Sequence, residues 1–222
     1  MIICITNLTA TVEGASETLL CQQSINRAQS EKISSLLVGR QIQSGTNTAF
    51  FLPFASEKET QPRLFTGELL HTDFAYRHIQ LIEATRLLLL LAGDTPAIQH
   101  SISLAEQRMA TSCYSKFCAK GECKAITIAY MRYLACSVGQ DPKAQQAHFL
   151  TSLSDFRDGR GRWRGFPYFY TLLMLTELDQ SLASQELQYA VPACVKLLDP
   201  VDVSDCFSRR RQLILNKVLS RN

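Results

Sequence analysis

Residues 155–179, DFRDGRGRWRGFPYFYTLLMLTELD, decide the architecture. Gly159 and Gly161 sit where a helix ends, a place glycine commonly occupies. Pro167 suits the first turn of a new helix, where its missing N–H costs nothing. From Tyr168 the apolar residues Leu172, Leu175 and Leu178 follow at i+4, i+7 and i+10, with Leu173 beside them. That spacing predicts a helix buried on most sides. Trp163, the only tryptophan, is placed to lie over the helix end with its ring in apolar contact and its N–H directed to one partner.

Working outward, the same alternation of apolar period and punctuation predicts helices over 26–41, 66–92, 96–114, 122–138, 142–157, 165–178, 182–198 and 204–219. Thr66-Gly67-Glu68 is read as the opening of the longest of them, and Gly93-Asp94-Thr95-Pro96 as its end. Asp141 is an N-cap candidate with Pro142 as first helical residue. Residues 50–65, with Pro53 and Pro62, predict an irregular connection that could serve as a lid. Residues 2–5 are β-like, and 1–25 as a whole are left without an assignment. The expected fold class is therefore all-α, an array of antiparallel hairpins. It is read as one domain over 1–222, with hairpin repeats over 26–200 and a C-terminal helix over 203–222.

Composition sets bounds on function. A chain of 222 residues can bury a sizeable core, and 46% hydrophobic residues with a formal charge of +3 describe a globular protein without a strong electrostatic bias. No window approaches 18 consecutive apolar residues, so no membrane span is expected, and the N-terminus lacks the pattern of a secretory signal. A cytoplasmic location with reduced thiols follows as the expectation for the eight cysteines.

Three stretches share a spacing: Gln41-x3-Gly45, Phe117-x3-Gly121 and Arg157-x3-Gly161. The pattern resembles the Q-x3-G-x-W motif of the α/α-toroid superfamily, which contains the terpenoid cyclases and the β-subunits of protein prenyltransferases. The first copy has Asn47 where tryptophan would stand, the third has Trp163 but Arg157 in place of glutamine, and the middle keeps Gly121 alone. The resemblance implies a toroid-like array, complete or incomplete, whose inner helices 66–92, 122–138 and 165–178 surround a cavity.

By the same resemblance, a ligand site would lie where the inner helices begin, near Glu68, His71, Glu122, Arg162, Arg164 and Tyr168. Helix N-termini favour anions, and Arg160, Arg162 and Arg164 cluster at one of them. The implied ligand is small and apolar or anionic, an isoprenoid or a phosphate ester. The superfamily's catalytic motifs are missing: there is no D-x-D-D, and Asp205-Cys206 are adjacent rather than spaced as a D-x-C zinc pair. No catalytic residue is assigned, and no cofactor is expected. The alternatives are a prenyltransferase- or cyclase-like enzyme and a helical scaffold for a protein or nucleic acid.

Other residues carry weaker signals. Cys113-x4-Cys118-x4-Cys123 could hold zinc with His100 or His148 as fourth ligand, but the spacing is not that of the strong C-x2-C pairs. Small packed thiols are the preferred assignment, with no metal. His78 lies among apolar residues and is read as a core histidine. Arg209, Arg210, Arg211, Lys217 and Arg221 on the last helix suggest phosphate contact, yet the apolar face formed by Phe207, Ile214, Leu215 and Val218 favours docking on the body or on a partner. For the chain as a whole, a homo-oligomer or a protein partner is among the expectations.

Overall fold

The computed structural model describes residues 4, 6–59, 61–91, 93–138, 141–198 and 205–221. Within these residues the chain forms nine α-helices and no β-strand. The β-like run at 2–5 and the punctuation at 139–140 and 199–200 lie almost wholly outside the described residues. No described helix is long and apolar enough to cross a membrane.

The chain divides into two compact units, one of Met1–Pro62 and Leu70–Cys118, the other of Arg63–Leu69 and Ala119–Asn222. The first unit contains α1 (Leu8–Leu20), α2 (Arg27–Arg40), α3 (Asp73–Leu91) and α4 (Pro96–Ala110). Here α1 is a new element in the stretch the sequence left open. Asn7 caps it by accepting the Ala10 N–H, and Leu8, Val12, Ala15 and Leu20 face inward. Its first amides, Leu8 and Thr9, donate to the two carboxylate oxygens of Glu57 at 2.8 Å each, and Glu57 also takes the Phe54 N–H at 2.7 Å. Burial pushes the Glu57 carboxyl up, but the amide and hydroxyl donors from Phe54, Thr9 and Leu8 outweigh it and hold the group below its usual range. The connection expected as a lid is thus anchored by an acid that closes a helix end.

Asn26 and Gln29 form a reciprocal capping box at the start of α2, and Thr95 caps α4 with Pro96 as its first residue. The longest helix is α3, but it begins at Asp73, with the Thr72 hydroxyl accepting the Ala75 N–H. The expected opening at 66–68 is instead a tight turn closed by a bridge between Arg63 and Leu69. Gly67 has a φ of 91°, outside the helical region, and a Cβ there would meet the Phe207 ring at 2.7 Å, so this turn requires glycine.

The second unit contains α5 (Cys123–Leu134), α6 (Pro142–Ser154), α7 (Tyr168–Glu177), α8 (Gln180–Leu197) and α9 (Cys206–Ser220). Asp141 caps α6 through the Ala144 N–H, ahead of Pro142. Pro167 is the residue before α7 rather than inside its first turn. Packing repeats between the units: α1 lies on α3 and α2 on α4 in the first, α5 on α7 and α6 on α8 in the second. In the second unit α9 adds itself to both α7 and α8.

Within the units, α3, α5 and α7 are buried around their whole circumference over residues 78–88, 125–134 and 170–176. Arg132 staples α5 to α7: its guanidinium makes a bidentate pair with Glu177 at 2.7 and 3.0 Å and reaches the Tyr170 hydroxyl at 3.3 Å.

Candidate functional site

The ligand-site residues expected from sequence fall in both units. His71 is an exposed residue of the first unit, and the other five belong to the second. Glu68 points at the start of α7, where its Oε1 accepts the N–H groups of Phe169 at 2.9 Å and Tyr170 at 3.2 Å, and it also accepts the Thr66 hydroxyl. The amides that a bound anion would use at this helix end are therefore held by the chain's own carboxylate.

The arginines around that turn have intramolecular work as well. Arg162 lies over the Tyr168 ring at 4.9 Å, and Arg164 donates to the Asp155 carbonyl at 2.9 Å. Asp158 accepts the N–H of Arg160 and of Arg162, bonds that hold its carboxyl below the usual range. The Tyr168 hydroxyl is 3.4 Å from the Cys194 sulfur, and burial pushes its pKa upward, which keeps it neutral. Glu122 occupies the position before α5 without a side-chain bond to that helix's amides.

At the centre of the turn, Glu186 on α8 gathers three donors. Arg157 contributes Nε at 3.2 Å and a terminal nitrogen at 2.7 Å, and Trp163 contributes Nε1 at 2.8 Å. Trp163 locks the turn as its sequence position suggests.

The basic run on α9 is committed in the same way. Arg210 is buried, donates to the Phe65 carbonyl at 2.9 Å and stacks on the Phe65 ring, while Arg211 donates to the Thr66 carbonyl at 2.7 Å. Two of the three consecutive arginines therefore hold 63–69 in the second unit.

A site that sequence reasoning missed lies in the first unit. A groove of about 820 Å³ runs beside α2, with apolar walls from Ile25, Val38, Leu91, Ala97 and Ile98. Ser34 also lines it, is 3% exposed, and its Oγ has no hydrogen-bond partner among the described residues. The exposed pair Arg27–Glu31, 2.8 Å apart, stands among its lining residues. Gly39 lines the groove too, and a Cβ added there meets nothing within 4 Å. The only sequence signal for this groove is the weak apolar period of 26–41, since its other lining residues are Ile25 and residues from 91–98.

Of the cysteines weighed as metal ligands, Cys113 and Cys118 belong to the first unit and Cys123 to the second. No cysteine is in a disulfide. His78, in contrast, sits in an aromatic cage with Phe50, Phe74 and Tyr114, its Nδ1 3.2 Å from the Tyr114 hydroxyl. Burial, then the charges of Arg108 and Arg77, lower its pKa to about 4, a value suited to a neutral core group rather than a base working near neutrality.

No family model, curated protein or solved structure matches the chain.

Proposed function

We propose that this protein is a non-catalytic binder of a small apolar ligand carrying a polar head, such as an isoprenoid alcohol, built on helical hairpins of α/α-toroid type. The observation that carries the ligand reading is the buried, unpartnered Ser34 hydroxyl in a groove that also has apolar walls. A desolvated hydroxyl without a partner costs about 1–3 kcal/mol, and a ligand oxygen within reach recovers it. Apolar walls with one or two convergent polar groups are the usual composition of small-molecule sites. The toroid reading is supported by the repeated helix packing of the two units and by the complete burial of α3, α5 and α7, the helices expected to be inner ones. The anionic variant of the ligand has less support, because Glu68 occupies the α7 amides.

The test is binding of farnesol, followed by native mass spectrometry and by amide chemical shifts. Shifts should concentrate on 25–39 and 91–98. Gly39→Leu, which fills the groove without backbone strain, should abolish binding while leaving the melting temperature close to that of the parent. Ser34→Ala should weaken binding by about fivefold, the equivalent of about 1 kcal/mol. Farnesol bound equally well by Gly39→Leu would remove the proposal.

A further inference from the structure

The groove beside α2 opens on the first turn of α4, since Thr95, Ala97 and Ile98 all line it. A helix of 15 residues carries partial positive charge at this end, where its first amides have no carbonyl of their own helix to bond. Pro96 has no N–H, and the Ile98 N–H is held only by the Thr95 hydroxyl, at 3.4 Å. The Gln99 N–H returns to the Thr95 carbonyl at 3.0 Å, whereas the Ala97 N–H has no acceptor among the described residues. At the start of α7, by contrast, Glu68 already takes the place of an anion.

A second donor comes from a different helix. The Ser34 hydroxyl on α2, which packs on α4, lines the same groove, is 3% exposed and has no partner. The charged residues of the lining are Arg27 and Glu31, whose 2.8 Å pair cancels, so the helix end sets the sign of the local field. Asp94, just before the cap, is not part of the lining, and its carboxylate accepts the Gln99 side-chain amide at 2.8 Å. We propose that the polar head bound in this groove is a carboxylate, so that the ligand class is apolar carboxylic acids. The proposal rests on the ligand reading of the groove given above and names the head that reading left open.

A carboxylate matches these groups because it only accepts hydrogen bonds, and the groups on offer, the Ala97 N–H and the Ser34 O–H, donate. Its charge makes each such bond roughly twice as strong as one to a neutral hydroxyl, and it is favoured further by the helix end. A phosphate monoester would bring a second charge, and the lining has no unpaired cation to meet it. The apolar chain has Ile25, Val38, Leu91 and Ile98 to lie against. Gly39 and Gly93 keep its path open, since a Cβ at either would meet nothing within 4 Å. Gly39 does so inside α2, although glycine is a poor helix former.

Farnesoic acid, its methyl ester and farnesol share one chain and differ in the head, so titrating the full-length protein with each near neutral pH isolates the head. The acid should bind about tenfold more tightly than the ester or the alcohol, with its largest amide shifts at 34 and 95–98. Ala97 is exposed, so Ala97→Asp and Ala97→Asn should both keep the parent's circular dichroism. The two replacements have the same size and differ in charge. Ala97→Asp should bind the acid about tenfold more weakly than Ala97→Asn does, while farnesol should not distinguish them. An acid bound no better than its ester, or equal binding of the acid by the Asp and Asn variants, would overturn the carboxylate head. If farnesol binds in either of those cases, the groove reading survives alone; if none of the three compounds binds, both are removed.

Discussion

After α2 the chain folds back through an antiparallel bridge between Gln41 and Phe51, and after α6 through one between Arg157 and Trp163. Both turns place a long polar side chain at the end of a helix, and both anchor it on the second helix that follows. In the first, Gln41 is 5% exposed and donates to the Ala49 and Ser101 carbonyls at 3.2 and 3.0 Å. In the second, Arg157 pairs with Glu186, which also takes the Trp163 N–H. The neutral version satisfies backbone with side chain and buries no charge. The charged version buries a carboxylate that depends on three donors at once, so it gains directionality and becomes more vulnerable to removal of one partner.

That difference gives the largest expected effect. Glu186→Ala leaves Arg157 and Trp163 without their acceptor and should cost about 4 kcal/mol, lower than the upper end for buried pairs because the Arg157 side chain is 27% exposed. Gln41→Ala loses two neutral hydrogen bonds and should cost about 2 kcal/mol. Denaturant titration of the two variants would measure both, and equal losses would mean that the two turns are energetically the same device. Glu186→Gln, which keeps an acceptor for Trp163, should recover part of the loss and rank between them.

The helices of these turns were legible because their signals are local. Asp141 caps the helix whose start it marks in the sequence, and Asn26 and Thr95 cap helices expected to begin at 26 and 96. Residues 8–20 were not legible, although Leu8, Val12 and Ala15 keep a helical spacing, because Ser, Thr and Gly dilute the pattern. The group that secures this helix, Glu57, comes from 49 residues away. The misplaced start of α3 has a similar cause. Thr66-Gly67-Glu68 has the local look of a helix opening, but Arg210 and Arg211, 145 residues on, hold the Phe65 and Thr66 carbonyls in a turn.

Acid separates the units in a second way. The first contains a buried imidazole, His78, held neutral with a pKa of about 4 against 6.5 for the ordinary side chain. The second has its histidine, His148, exposed on α6. A folded-state pKa below the unfolded one means that the unfolded chain binds the extra proton between these values, so stability rises with pH across the window. The contribution is complete above pH 6.5 and is lost as pH falls toward 4, reaching about 3 kcal/mol at most. Hydrogen exchange should show α3 losing protection over this range. His78→Gln, which keeps a side-chain bond to Tyr114 within reach but does not titrate, should flatten the slope. An unchanged slope in that variant would assign the acid sensitivity to other groups.

Two glycines inside the bridged turns separate backbone strain from packing. Gly45 has a φ of 88° and open space around a would-be Cβ, whereas Gly161 has a φ of 84° and would bring a Cβ within 2.8 Å of the Ala193 Cβ on α8. Gly45→Ala should therefore show strain alone, about 1 kcal/mol. Gly161→Ala adds a collision with a helix that cannot rotate away, and should cost about 2–3 kcal/mol. Placing Ala193→Gly in the Gly161→Ala background relieves the collision and leaves the strain, so the double variant should lose less than the sum of the two single ones. Strict additivity would show that α8 shifts without resistance, and the two turns would then differ only in the charge they bury.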